Sequence, residues 1–306
     1  MVDDTRSIAA WRKAIRHWRW LYQQSRPWES PTRYLLFHLL KSIRAHEKVS
    51  FRYAGARFWL FDTPLTHLMF FHASRWHGAR DLRFLRQLLR SGDIIFDVGA
   101  NVGSHAIPLA KSLGPATQVY AFEPHPRIFS YLKANAALNR LDNLHLYNLA
   151  LGHQEGEVCF TDLHTDDLNR VLAHPSPETR TLRVAAKRLD SLECTQQPLT
   201  LLKIDVEGYE RFVLEGAEQT LQRTDFLFIE ANAENTAEYG YSVQQLADYL
   251  RARGWRLYRL SDEGQLQPLP ATPIVTDWEN WVGTRAAPLL RERLAPAGID
   301  VPVDDA

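Results

Sequence analysis

The sequence predicts a doubly wound α/β fold: a mostly parallel sheet with helices on both faces, preceded by a basic extension of helices and a hairpin. Three observations predict it. From Ser91 onward, apolar runs of strand length alternate with segments of helical periodicity. The first of those runs ends in a glycine-bearing turn, Asp97-Val98-Gly99-Ala100-Asn101-Val102-Gly103, directly before a helix. The 306 residues are 45% hydrophobic and 24% charged, an ordinary globular balance, and no run of about 18 apolar residues offers a membrane span.

Trp11, Ile15, Trp18 and Tyr22 recur at helical spacing with Arg12, Lys13, Arg16 and Arg19 between them, so residues 11–22 read as an amphipathic helix. Pro27 and Pro31 interrupt it. A second helix, Tyr34 to about His46, follows the start signal Ser30-Pro31-Thr32. Alternation on either side of Ala54-Gly55 predicts a hairpin from Val49 to Phe61. A helix from Asp81 to Arg90 leads into the main domain. There the strands are Asp93–Val98, Gln118–Phe122, Leu144–Leu149, Leu199–Ile204, Asp225–Ile229 and Trp255–Leu260. The helices between them are Gly103–Leu113, Pro126–Asn139, Phe212–Leu221 and Val243–Arg253. Residues 152–192 have a weaker rhythm, read as sheet-edge strands and a loop, and Trp278–Gly283 reads as a closing strand. The organisation is therefore 1–75 (basic, aromatic-rich extension), 76–285 (main domain) and 286–306 (tail).

Charge is split along the chain. Residues 1–90 hold 17 Lys and Arg against 6 acids, and the remainder holds 19 against 30. Such a basic front suits an anionic partner, whether a peripheral membrane face at the inner leaflet or a phosphorylated or lipid-linked saccharide. With two cysteines, Cys159 and Cys194, a disulfide scaffold is excluded and a reduced cytoplasm is the expected compartment.

In open α/β sheets ligands bind beyond the carboxyl ends of the strands. Gly99 allows a cofactor to lie against bare backbone, and the helix after Gly103 presents unpaired N–H groups to a carboxylate. Asp97 is placed for an ammonium group. Glu123, about 20 residues on at the tip of the second strand, suits a ribose diol. Together they describe a nucleoside carrying an amino-acid zwitterion, as in S-adenosylmethionine. Asn101, standing where Gly-x-Gly-x-x-Gly has its second glycine, disfavours a nicotinamide. His125 and Ala150, beside the second and third strand ends, complete the expected cofactor wall.

The fourth strand ends in Lys203-Ile204-Asp205-Val206-Glu207-Gly208, over the place where a reactive methyl would lie. An alcohol needs a base to become a nucleophile. Asp205 is the best-placed carboxylate, in contact with both cofactor and acceptor, with Glu207 and Glu230 as helpers. Asp205, Glu230 and Asn232 could hold Mg2+ through oxygen, but no metal-ligand spacing supports them, and no resident metal is expected. His105, His153, His164 and His174 also lack such spacing and read as surface or loop residues.

The strings Asp97-Val98-Gly99-Ala100-Asn101-Val102-Gly103, Phe122-Glu123-Pro124-His125-Pro126, Leu149-Ala150-Leu151-Gly152 and Leu202-Lys203-Ile204-Asp205-Val206-Glu207-Gly208-Tyr209-Glu210 resemble the FkbM family of methyltransferases. The likeness runs from about Ser91 to about Glu230. It implies a class I Rossmann-like methyltransferase fold, S-adenosylmethionine as donor, and O-methylation of a hydroxyl on a saccharide, glycolipid or polyketide. It implies further that Asp97, Gly99, Asn101, Gly103 and Glu123 bind cofactor and that Asp205 and Glu207 face the acceptor. Ala79-Arg80 stands near the place where family members often carry Tyr-Glu. The competing readings are a nucleic-acid methyltransferase, suggested by the basic front but lacking an Asn-Pro-Pro-Tyr element, and a nucleoside-binding protein without catalysis.

Overall fold

The computed structural model describes residues 30–72, 76–163, 165–166, 168–174, 178–275 and 278–302. The expected helix over residues 11–22 and His164 lie outside them. The described chain opens with helix α1 (Pro31–Ser42), hairpin strands β1 (Ser50–Tyr53) and β2 (Ala56–Trp59), and helices α2 (Pro64–Phe71) and α3 (His77–Leu88). Helix α2 is not legible as a period, because nearly every residue in it is apolar. Its start is nonetheless conventional: the Thr63 hydroxyl accepts from Thr66 N, and Pro64 occupies the first turn.

Next come β3 (Ile94–Val98), α4 (Ala106–Leu113), β4 (Gln118–Phe122), α5 (Pro126–Asn139), β5 (Leu144–Tyr147), β6 (Ala150–Leu151), β7 (Gly156–Thr161) and β8 (Thr181–Lys187). The chain continues through β9 (Leu199–Ile204), α6 (Glu210–Glu215), α7 (Glu218–Gln222), β10 (Thr224–Asn232), α8 (Ala233–Glu238) and α9 (Val243–Arg251). It closes with β11 (Arg256–Leu260), β12 (Leu266–Pro268), β13 (Trp278–Thr284) and α10 (Ala287–Leu294). The main sheet has the order β12-β11-β13-β10-β9-β3-β4-β5. Strands β5, β4, β3, β9 and β10 run parallel, and β13 slots antiparallel between β10 and β11. This is the expected doubly wound, mostly parallel arrangement, with the closing strand inserted antiparallel inside the sheet.

All six residues of β9 are buried, polar Thr200 and Lys203 included, as a central parallel strand covered on both faces demands. Its side chains alternate between two cores. Leu201 packs with Ile95, Phe226 and Phe228 under α3, α4 and the hairpin, whereas Leu202 and Ile204 pack with Phe96, Leu227 and Ile229 under α6 and α9. Three expectations are corrected here. The third strand stops at Tyr147, and residues 150–187 build a separate sheet, β6-β8-β7, rather than edges of the main one. The helix expected over Phe212–Leu221 is two short ones divided at Gly216, where a Cβ would stand 1.9 Å from the Gly152 carbonyl oxygen. The helix after the glycine turn begins at Ala106, not Gly103.

The hairpin is fastened to the main domain by two asparagines of α5. Asn135 accepts from Trp59 N at 2.9 Å and donates to the Val102 carbonyl at 2.9 Å. Asn139 accepts from Arg57 N and donates to Arg57 O at 2.9 and 2.7 Å. Asn135 is fully buried, so truncating it strands a backbone donor and an acceptor without water. Asn135→Ala is expected to lower unfolding stability by about 1–3 kcal/mol in urea titrations. An unchanged midpoint would show that the hairpin is not anchored there.

Candidate functional site

A cleft of about 1150 Å3, counting its open mouth, lies across the carboxyl ends of β3, β4, β9 and β10. Its floor begins at the β3 tip. Gly99 adopts φ +82°, and a Cβ there would sit 1.8 Å from the Asp205 carbonyl oxygen, so the β3 and β9 tips touch backbone to backbone. Asn101 is also left-handed, at φ +52°. Its side-chain oxygen accepts from Val102 N, while its Nδ2 donates to Asp166 O at 2.7 Å.

Glu123 leaves β4 buried, yet it lines the cleft. Its carboxylate accepts from Asn101 N at 3.0 Å and His125 N at 2.8 Å. Burial pushes its pKa up to about 7 against the pull of those two N–H groups. The turn after β3 and the tip of β4 are thus tied through the one carboxylate that the sequence assigned to a ribose.

Lys203 is the centre of the β9 tip and was not singled out from sequence. Its ammonium, almost wholly buried, lies 3.1 Å from Asp97 Oδ1 and 3.2 Å from Asp205 Oδ2. Burial works against its charge, but Asp205 and Asp97 together hold its pKa above the ordinary lysine value. Asp97 was expected to meet a cofactor ammonium. Instead it pairs with this internal one and is not among the residues lining the cleft. The signal available in the sequence was a lysine in a mostly apolar central strand, a charge that must find partners.

Beyond Lys203 the chain turns sharply. Glu207 is left-handed at φ +56°, and Glu210 fixes that turn by accepting from Val206 N and Gly208 N at 3.2 and 3.0 Å. Tyr241 donates to Gly208 O at 2.7 Å. Held in this way, Asp205, Glu207 and Glu230 converge, with one oxygen from each within 4.8 Å of the others. Burial, then the charge of Asp205, raises Glu207 to about 8. The same two causes, with Glu207 added, raise Glu230 well above a normal carboxylate. Asn235 orients Glu207, donating to its Oε2 at 2.8 Å.

Two residues expected at the cofactor stand outside the cleft lining, and one expected surface residue is buried. The His125 ring does not line the cleft: its Nε2 lies 3.1 Å from Asp162 Oδ1, and its Nδ1 caps α5 by accepting from Arg127 N. Gly103 is absent from the lining too, packed against Ile107 and Leu132. His105 is no surface residue. It is buried in the cleft wall, and burial followed by Lys203 drops its pKa to about 3, so its imidazole is neutral. Ala150 does line the cleft, from β6, beside Leu149, Leu151 and Phe160. Helix α3 adds His77, Gly78 and Asp81 to the opposite side, with Leu65 of α2 nearby. Asp81 accepts from Arg80 and Asn280 at 2.9 and 2.8 Å, and burial lifts it to about 6.

The methyltransferase FkbM domain family matches residues 97–257, more than half of the chain and all of the strand tips just described. The chain belongs to the FkbM methyltransferase family. It is 28% identical over 186 residues to the 2-O-methyltransferase NoeI of Sinorhizobium fredii, covering 55% of this chain and 75% of that protein. It is 28% identical over 159 residues to the hexuronic acid methyltransferase AglP of Haloferax volcanii, covering 51% of this chain and 63% of that protein. It is 29% identical over 161 residues to the 31-O-demethyl-FK506 methyltransferase FkbM of Streptomyces tacrolimicus, covering 42% and 61%. This FkbM-family chain thus spans about three fifths to three quarters of the length of these relatives.

A buried charge that loses its partner costs far more than the pair contributes. Lys203→Met strands Asp97 and is expected to destabilise the protein by about 3–5 kcal/mol in denaturant titrations. Asp205→Asn, at a half-exposed carboxylate, should cost much less. Equal effects would mean that Lys203 is not the buried hub.

Proposed function

We propose that the chain transfers a methyl group from S-adenosylmethionine to a hydroxyl of a saccharide-type acceptor. The observation that carries this is the convergence of Asp205, Glu207 and Glu230 beside the Glu123 end of the same cleft.

The cofactor's needs match the residues present. Glu123 uses two acceptor positions on backbone N–H groups, and a carboxylate has about four, which leaves capacity for a ribose diol. The apolar wall of Leu149, Ala150 and Leu151 suits a purine ring. The backbone from Gly99 to Asn101 suits the amino-acid end. When bound, S-adenosylmethionine supplies an electrophilic methyl on a positively charged sulfonium, a charge that an acid-rich cleft favours.

The protein then has to position an alcohol and take its proton. Asp205, read from sequence as the leading base, has its charge engaged by Lys203. Its neighbours are better suited. Burial and the fixed charge of Asp205 make Glu230 and Glu207 stronger bases than ordinary carboxylates, closer to the operating pH at which general bases work best. We assign proton acceptance to Glu230, with Glu207 and its Asn235 partner holding the acceptor hydroxyl. The two O-methyltransferases among the relatives support transfer to oxygen, and the hexuronic acid methyltransferase supports a saccharide acceptor. An anionic or lipid-linked acceptor would carry its negative charge outside this acidic cleft, toward the basic front of the chain. The same acids oppose a nucleic-acid backbone.

A second reading rests on the 4.8 Å convergence: Mg2+ bound by the three carboxylates could acidify the hydroxyl instead. Chelation separates the two, since activity survives it only in the metal-free reading.

Transfer from S-adenosylmethionine carrying an isotopically labelled methyl to uronic-acid or hexose glycosides, read by mass spectrometry, tests the reaction. With an accepted glycoside, Glu230→Gln should lower kcat by about 10²–10⁴-fold while leaving cofactor affinity nearly unchanged. A base must be ionised to act, and burial and the charges of Asp205 and Glu207 raise Glu230 well above the ordinary carboxylate range, so kcat should rise with pH well above that range before it levels off. A pH-independent rate, or an undiminished Glu230→Gln variant, would contradict the assignment.

A further inference from the structure

Among the described residues, the large hydrophobic side chains left exposed are Leu36, Leu39, Ile43, Leu168 and Ile274. Two of the five, Leu36 and Leu39, sit on α1, and a third, Ile43, caps its C-terminal end, at spacings of three and four residues. At 100° per residue they fall within a sector of about 60°. Their exposures are 45%, 46% and 65%, with Ile43 at the helix end the most open. The opposite face of α1 is satisfied: Phe37 is buried, and its ring lies 4.4 Å from His67 and 5.7 Å from Phe71 of α2. The outer stripe is therefore not needed for packing on the domain.

The chemistry around the stripe is mainly basic. Helix α1 has no acidic side chain, and exposed Lys41, Arg44 and Lys48 border its C-terminal end against Glu47 alone. Lys41 is shared with Asp62 at 2.7 Å. Immediately upstream, residues 1–29 add six bases, Arg6, Arg12, Lys13, Arg16, Arg19 and Arg26, against Asp3, Asp4 and Glu29. Aliphatic side chains standing clear of a basic rim are the composition that inserts into the headgroup region of an anionic bilayer. A second copy of the chain fits less well. Three side chains fall far short of the roughly 800 Å2 per partner that a stable dimer buries, and the bases would face each other.

We infer that the outer face of α1, through Leu36, Leu39 and Ile43, docks the protein on an anionic lipid surface. The position serves the cleft. Helix α1 packs on α2, whose Leu65 lines the cleft mouth and donates its N–H to Asp166 at 3.2 Å. A docked α1 would hold the cleft, one helix away, near the surface where a lipid-linked acceptor resides. The inference extends the proposed preference for such an acceptor but stands on the α1 face alone.

The test is sedimentation of the full chain with phosphatidylcholine vesicles, with and without phosphatidylglycerol, at physiological salt and at about 1 M, where screening shortens to about 3 Å. Binding is expected only to phosphatidylglycerol vesicles and should be lost in high salt. The variant L36S/L39S/I43S should bind at least about tenfold more weakly, since each substitution removes apolar area that would leave water on docking. Its melting temperature and its affinity for S-adenosylhomocysteine should be unchanged, so a failure of the cofactor reading would show separately, in the parent protein. Ile43→Ser alone should give a smaller reduction and serves if the triple variant misfolds. Three results overturn the inference: a parent protein that does not bind, an Ile43→Ser or triple variant that binds as the parent does, and light scattering that shows a dimer dissociated by the triple variant.

Discussion

A lysine ammonium buried between two strand tips determines where the other charged groups of the cleft can stand. Lys203 draws Asp97 from β3 and Asp205 from β9 to within about 3 Å, and the backbone of Asp205 in turn closes on Gly99. Removing a cation from water is costly, and here two carboxylates repay the cost only while the strands stay in register. The pair of tips is therefore rigid, and the residues that follow them, Asn101 on one side and Glu207 on the other, leave in left-handed turns from fixed starting points.

Around that hub the remaining acids exceed the cations available to them. Glu123, Glu207, Glu210 and Asp81 are each buried enough to hold a proton at higher pH than a solvated carboxylate does. The excess is costly in the free protein and useful in a complex. A cleft of under-neutralised acids attracts a cationic ligand and, in the proposed reaction, keeps strong bases beside the acceptor hydroxyl. The neutral imidazole of His105 adds polarity without opposing that charge.

Much of this was legible in the sequence because it depends on local order. Strand–turn–helix alternation predicted the main sheet, and strand-end chemistry predicted Gly99, Glu123 and the Asp205–Glu207 tip. What the sequence could not show were contacts across the sheet. Asp97 reads as a ligand group until Lys203, over a hundred residues away, is seen to occupy it. His125 reads as a cofactor neighbour until Asp162 and the end of α5 claim its two nitrogens. Helix α2 lacks a polar face, so it has no period, and α3 reaches the cleft through His77 and Asp81 by tertiary packing alone.

The account rests on the carboxylate of Glu123 gripping the sugar of a nucleoside cofactor. Calorimetric titration of the full chain with S-adenosylhomocysteine, across the pH range around 7, tests that most directly. The ionised carboxylate makes the stronger, charge-assisted hydrogen bonds, so affinity should rise as pH passes through about 7, and Glu123→Gln should bind far more weakly with no such rise. Equal affinity in the parent and in Glu123→Gln at every pH, or no binding by either, would contradict it.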